Sequence, residues 1–463
     1  MGNNNRLFMA FYGDDFTGST DALEFLSRAG IKTVLFIEPP TKEQLERYPG
    51  LQAIGVAGMT RAMPPEAMEK ELQPAFTTLR ALNPRHIHYK VCSTFDSSPT
   101  IGSIGKAIDL GAEIFGSEFI PLLVAAPVLG RHCVFGNLFA KMGIGSEGSI
   151  YRLDRHPSMS KHPTTPADES DLRLHLAKQT KRRVGLIDIL QIEKPLEETR
   201  QQIRELVESG DEIILFDALY QQQLALIGAL MDENAEDDES LFSVGSSGVE
   251  MALAAYWQTS GVTQLAPVWN DLEDAGPVLI ASGSCSPVTS GQIAYAINHG
   301  FEEIVIDTEK LAREGISNPL IEEYVAQAIR YIENKSDVIL HTSRGNDDIR
   351  VRASDQILES RGIAKTETSM LYGTVLGIIA RQVAEKTSLR RIIIAGGDTS
   401  SHAARAMGIE AVEMIAPLSP GSPLCKAYAP GSSIDGLEVN FKGGQVGKED
   451  YFEMVRGTIN SKL

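Results

Sequence analysis

The chain has 463 residues, about three times the ~150-residue prior for one domain, so two or more cores are expected. Its 43% hydrophobic and 22% charged residues exclude disorder as the main state, because they supply apolar area for cores and charge for a solvated surface. A formal net charge of −18, from 43 Lys and Arg against 61 Asp and Glu, repels polyphosphate and anionic bilayers and argues against nucleic acid or membrane as a partner.

Short apolar runs rich in β-branched residues alternate with helical patterns from end to end, as in parallel sheets with crossover helices. The first half predicts strands over 7–12, 33–37, 52–57, 87–91, 122–125, 184–188, 212–216 and 241–244. Helices fall between them, among them 20–29, closed by Gly30, and 171–179, opened after Ser170 and Asp171. The acidic run 232–239 reads as a solvated loop, since carboxylates along one segment repel one another. The segment 259–276 breaks both periodicities and predicts a boundary between a domain over 1–260 and another over 275–463. In the second domain, strands over 278–281, 303–306, 338–341 and 391–395 alternate with helices near 289–298, 321–332, 370–386 and 401–407. The fold class is α/β: two domains, each built on a largely parallel β-sheet flanked by helices, with the active site expected in the cleft between them.

The four cysteines, Cys92, Cys133, Cys285 and Cys425, form no C-x-x-C pair, which argues for reduced thiols rather than zinc or disulfides. With no signal-peptide core and no run near the ~20 apolar residues of a membrane span, a cytoplasmic location is expected.

Between the first strand and the first helix stands Tyr12-Gly13-Asp14-Asp15-Phe16-Thr17-Gly18-Ser19-Thr20-Asp21. Ligands of open α/β sheets bind outside the carboxyl ends of the strands, where this turn must lie. One acid suffices to cap the helix, which leaves the other to bind a polyol hydroxyl or accept its proton. Arg61 follows the strand over 52–57, and Lys90 precedes Ser93, Thr94 and Asp96. Both cations reach the same edge and suit a carboxylate, Arg61 by a bidentate fork and Lys90 as a point charge, although strand-end cations are also ordinary surface residues.

Two turns in the second half join a strand to a helix through glycines and hydroxyls: ASGSCSP, with Ser284, and AGGDTSS, with Gly397, Asp398, Thr399 and Ser400. Amides and hydroxyls at a helix N-terminus are phosphate-binding chemistry, and the glycine-rich stretch FKGGQVG, with Gly443, adds to it. Neither turn is a Walker A loop or a G-x-G-x-x-G, and each alone is equally a tight connection. No G-x-S-x-G elbow and no H-E-x-x-H spacing occurs, so no residue is assigned to a nucleophile or a metal; His162 reads as a loop residue and Cys285 as packing.

GDDFTGSTD, TR after the third strand, Lys90 before its Ser/Thr/Asp cluster, HPTTPADESDL, SGSCSPVTSGQ and GGDTS, in that order over almost the whole chain, resemble the four-carbon acid sugar kinase family. The resemblance implies an N-terminal acid-sugar domain, a C-terminal ATP domain, ATP and Mg²⁺ as cofactors, and phosphoryl transfer to a terminal hydroxyl of threonate, erythronate or 3-oxo-tetronate. It implies Asp15 as general base, with Asp14 and Asp398 as rivals. Asp14, Arg61, Lys90 and Asp96 would bind the acid sugar, and Ser284, Gly397, Asp398, Thr399, Ser400 and Gly443 the nucleotide. One departure stands out: where the family reads K-D-S-T-x-R-G-N, this chain has Lys90-Val91-Cys92-Ser93-Thr94-Phe95-Asp96-Ser97, with the Asp displaced and the Arg absent. A branched acid such as 3-oxo-isoapionate is therefore the second candidate. The alternatives are a non-catalytic acid-sugar and nucleotide sensor, and a kinase of another small hydroxy acid such as glycerate. Paired subunits, a homodimer, would be ordinary for a metabolic enzyme.

Overall fold

The computed structural model describes residues 6–142, 148–162, 164–235, 239–263, 267–269, 271–345, 347–363 and 365–457. Residues 236–238 of the acidic run, 264–266 and 270 of the predicted boundary, and Pro163 beside His162 lie outside the described residues. The chain divides into two compact units, Met1–Pro267 and Val268–Leu463.

The first unit is built on parallel strands in the order Thr33–Phe36, Ala53–Ala57, Met9–Gly13, His86–Lys90, Leu241–Gly245, Ile120–Leu123, Ile213–Phe216 and Val184–Ile187. The central strands are buried along their whole length, as continuous apolar runs such as MAFYG and AIGVA require when a sheet is covered on both faces. Because every strand runs the same way, the residues that follow Gly13, Ala57, Lys90, Leu123 and Gly245 gather at one edge of the sheet. The helix Phe16–Arg28 begins four residues before the sequence-predicted start, because Asp15 caps it by accepting from the Gly18 N–H. A small antiparallel sheet, Arg131–Val134, Asn137–Lys141 and Ile150–Arg152, has no counterpart in the sequence reading. Its first hairpin turns at Phe135 and Gly136, both with positive φ, the two-residue geometry that matches strand twist.

The second unit has five parallel strands, Glu302–Val305, Val338–His341, Leu279–Ser282, Arg391–Ala395 and Glu438–Lys442, in that spatial order. The antiparallel hairpin Ser422–Tyr428 and Ala411–Ser419 extends the sheet beyond Glu438–Lys442. Val278, Ile280, Ile293, Ile339 and Ile393 form its core with Tyr451 and Phe452.

One expectation is corrected here. Asp232 opens the acidic run, yet it is buried in the last turn of the helix Leu224–Glu233. Its Oδ1 accepts from Trp257 Nε1 at 2.9 Å, His86 Nε2 at 2.9 Å and Arg85 Nε at 3.0 Å. Three donors from distant parts of the chain hold it well below the usual carboxylate range despite its burial, so this acid is an internal hub rather than a solvated charge. Replacing Asp232 with Ala leaves the Trp257 and His86 donors unsatisfied and is expected to lower stability by about 2–3 kcal/mol, read from chemical denaturation of the variant against wild type.

Candidate functional site

Asp14 and Asp15 sit directly beyond the strand Met9–Gly13. The Asp14 N–H donates to the Lys90 carbonyl at 2.8 Å, continuing the ladder, and the Arg61 N–H donates back to the Asp14 carbonyl at 3.0 Å. This backbone geometry presents Arg61 to both acids. Its Nη2 donates to Asp14 Oδ1 and to Asp15 Oδ1, each at 2.7 Å, and its Nε to Asp14 Oδ2 at 3.1 Å. One guanidinium thus neutralises much of the repulsion between two adjacent buried carboxylates. The expectation that Arg61 clamps a ligand carboxylate meets a fork already occupied by Asp14.

The two acids differ in kind. Asp15 also accepts from Thr17 Oγ1 at 2.7 Å and from the Gly18 N–H at 2.8 Å. Although burial pushes its carboxyl up, Arg61 and these donors outweigh it, and the pKa lies below the ordinary value. Asp14 lacks the cap and helix-turn donors; burial, its largest influence, raises it above the ordinary value in spite of Arg61. Asp14 is therefore the more basic of the pair, although the sequence put Asp15 first as general base.

Lys90 is buried and donates to the Val91 carbonyl at 3.1 Å, with its Nζ 3.7 Å from Asp21 Oδ2. Gly18 makes this convergence possible: a Cβ there would lie 2.4 Å from Asp15 Oδ1, 3.2 Å from Lys90 Nζ and 3.5 Å from Arg61 Nη2. Sequence reasoning missed Asp21, Ser247 and Glu250. Glu250 Oε2 is buried without a hydrogen-bond partner among the described residues, and Asp21 interacts with Ser247. His88 joins Glu250 Oε1 through Nδ1 at 2.7 Å and the Gly245 carbonyl through Nε2 at 3.2 Å. Asp21 was legible as the last acid of the GDDFTGSTD stretch; Ser247 and Glu250 meet it only through the pairing of distant strands.

After Lys90 the chain turns through Phe95, which has a positive φ of 57°. Asp96 Oδ1 is buried without a partner, and Ser97 Oγ lies 2.8 Å from His175 Nε2. These residues line a small cavity with Thr165, Glu169 and Leu172. His162 accepts from the Thr165 N–H and hydroxyl, a local turn.

In the second unit three turns meet at the carboxyl ends of adjacent strands. Gly283 N–H donates to the Ala395 carbonyl, and Gly396 N–H to the Lys442 carbonyl. Gly396 has φ 131° and ψ 132°, a conformation open to glycine alone, and a Cβ on Gly283 would lie 2.4 Å from Thr399 Oγ1. A Cβ on Gly444 would lie 2.8 Å from Ser284 Oγ, so Ser284, Thr399 and the turn after Gly443 share one small region. The helix Gly397–Ala406 starts there, with Asp398 exposed in its first turn and Ser400 buried. Beside it a cavity of about 250 Å³ is lined by Gly283, Thr342, Ser343, Asp355, Tyr372 and Thr399. The glycines and hydroxyls at a helix N-terminus supply donors for phosphate, and the cavity has room for the rest of a nucleotide's organic part.

Lys442 is a residue the sequence reading passed over. Fully buried, it donates to Thr289 Oγ1 and to the Gly443 carbonyl, each at 3.0 Å, with its ammonium over the Tyr451 ring and no carboxylate in reach among the described residues. Desolvation lowers its pKa to about 7. Between about pH 7 and 10.5 the unfolded chain holds the proton that the folded chain has lost, so this group's penalty on folding shrinks as pH rises through that window. Lys442→Met should therefore melt higher than wild type near pH 6.5, with the difference narrowing steadily towards about pH 9.5 in parallel thermal scans.

Comparison with known proteins fits this geometry. A family profile described as a sugar-binding N-terminal domain matches residues 9–253, and one described as a nucleotide-binding C-terminal domain matches residues 279–452. The chain is 41% identical, over 97% of its length and 94% of the relative's, to a 3-oxo-isoapionate kinase of Paraburkholderia graminis. It is 28% identical to a 3-oxo-tetronate kinase of Pseudomonas savastanoi pv. phaseolicola, over 97% of both chains. A solved Salmonella typhimurium LT2 structure, described as a putative tRNA synthase, shares the fold with a TM-score of 0.76 at 24% identity, over 97% of this chain and 98% of that one. Two profiles in the order sugar, then nucleotide, together with a relative matched along almost its whole length, show that the chain belongs to the four-carbon acid sugar kinase family.

Proposed function

We propose that this protein is an ATP-dependent kinase of a small acid sugar, with 3-oxo-isoapionate as its first substrate and the four-carbon 3-oxo-tetronates as its second. The observation that carries this reading is the 41% identity to a 3-oxo-isoapionate kinase against 28% to a 3-oxo-tetronate kinase, each over 97% of the chain. The altered segment after Lys90, with Asp96 in place of the family's usual pattern, supports a substrate other than a plain tetronate.

The acid sugar binds at the edge bearing Asp14, Lys90 and Asp96, and the nucleotide's phosphates bind at the turns holding Ser284, Gly397, Thr399, Ser400 and Gly443. The cavity lined by Asp355 and Tyr372 takes the nucleoside part. In the reaction the substrate hydroxyl oxygen forms a bond to the γ-phosphorus while the bond from that phosphorus to the β-bridging oxygen breaks, and ADP leaves. Asp14, raised by burial and held by Arg61, accepts the hydroxyl proton; Asp15 holds the helix and Arg61 in place. Among the described residues no group of three or more His, Cys, Asp or Glu side chains could cage a metal. A magnesium ion carried by the nucleotide needs only one or two protein carboxylates, a role open to Asp398. Such an ion would neutralise charge developing on the phosphates.

The test is coupled ADP release with ATP and Mg²⁺ over a panel of C3 to C5 acid sugars that includes branched and 3-oxo acids. The expected outcome is turnover of 3-oxo-isoapionate with a kcat/KM about tenfold or more above 3-oxo-tetronate. Saturable binding without ADP release across the panel would establish a sensor instead. Asp14→Asn should lower kcat by about 100-fold or more with the KM for ATP unchanged, whereas a near-normal kcat would remove it as the base. Gly18→Ala should lower kcat/KM by about 100-fold, because its Cβ displaces Asp15 and Lys90, while costing about 1 kcal/mol of stability through the weakened cap.

A further inference from the structure

An acid sugar brings a carboxylate, and the charges at the edge of the first unit do not welcome one. Within ion-pair distance among the described residues, Asp14 and Asp15 share Arg61, and Lys90 stands 3.7 Å from Asp21. A further cation is needed for an anionic ligand to enter. Arg131 meets the requirement.

It opens the strand Arg131–Val134, reached through the turn Pro127–Leu129 after Ile120–Leu123, and so arises at the same carboxyl edge as Asp14 and Lys90. The residue is only 6% exposed. Its Nη1 is fixed by the carbonyls of Leu129 at 3.1 Å and Lys141 at 3.0 Å, with Gly130 at 3.4 Å. Its Nε is buried with no partner, and no carboxylate lies within ion-pair distance among the described residues. Burial disfavours its charge and lowers its pKa, an effect that Cys92, Asp96 and Asp21 offset in part. A buried guanidinium with an orphaned N–H is costly to fold, and an arriving carboxylate would satisfy it.

We propose that Arg131 anchors the carboxylate of the acid substrate, its unpartnered Nε edge supplying the charge-assisted bonds. The assignment rests on the acid-sugar reading above and names the residue that recognises the acid group.

The test compares 3-oxo-isoapionate with its uncharged carboxamide, by steady-state kinetics and by calorimetric binding without nucleotide, in wild type, Arg131→Gln and Arg131→Lys. Arg131→Gln should raise KM and Kd for the acid by about 100-fold while changing those for the carboxamide and for ATP by less than about threefold, so that discrimination between acid and amide collapses. Arg131→Lys keeps a cation on the Leu129 and Lys141 carbonyls but loses the fork, and should recover only part of the acid's affinity; it also serves if Arg131→Gln fails to fold. An unchanged acid-to-amide ratio in a folded Arg131 variant overturns the assignment and leaves the kinase reading intact. Acid binding without turnover in wild type, lost in Arg131→Gln, overturns the kinase reading and keeps the anchor. A wild type that neither binds nor phosphorylates the acid overturns both.

Discussion

The first unit depends on one guanidinium shared between two neighbouring carboxylates. Asp14 and Asp15 are adjacent, buried and of like charge, an arrangement that would force one of them to take up a proton or leave the interior were no cation supplied. Arg61 supplies it, with Nη2 at 2.7 Å from each acid, and is itself placed by a backbone bond to Asp14. The sharing is unequal. Asp15 gains cap donors and becomes a fixed structural charge, while Asp14 keeps a raised affinity for protons. Differentiating two chemically identical groups through their donors lets one turn serve as a helix start and, in the proposed reaction, as a proton acceptor.

The second unit solves a different problem by removing side chains. Gly283, Gly396 and Gly444 allow the turns after three neighbouring strands to approach Ser284 and Thr399 more closely than any Cβ would permit. Donors for an anion are then provided without concentrating many cations. The buried Lys442 is held beneath the turn with a lowered pKa rather than displayed. In the proposed reading a chain of net charge −18 meets small anions with backbone amides, hydroxyls and a few buried, individually placed cations, while its surface charge repels extended polyanions.

Much of the framework was legible in the chain. Apolar runs such as AIGVA and RIIIA became buried parallel strands because covering helices require continuous hydrophobicity, and the turns bearing Asp14, Asp15, Ser284 and Gly397 lay at strand ends because parallel sheets gather those ends at one edge. The hairpin Arg131–Val134 with Asn137–Lys141 was not legible: its strands are short, and its turn relies on Phe135 at positive φ, which no residue preference announces. The paired strands Ala411–Ser419 and Ser422–Tyr428 were hidden in the same way by a Pro- and Gly-containing stretch. Asp232 read as surface charge because its donors, Arg85, His86 and Trp257, are far away in the chain.

The sequence by itself determined the α/β class, the order of the motifs and the identity of the turns that carry Asp14, Asp15, Ser284 and Gly397 to Ser400. These depend on local periodicity and on residue types at fixed spacing. Only the tertiary structure decided which charges are spoken for: that Arg61 belongs to Asp14 and Asp15, that Glu250 keeps an oxygen without a partner, and that Arg131 and Lys442 are buried with no acid in ion-pair reach among the described residues. Electrostatic partnership depends on distance and burial, and residues tens to hundreds of positions apart acquire both only when the sheet brings its strands together.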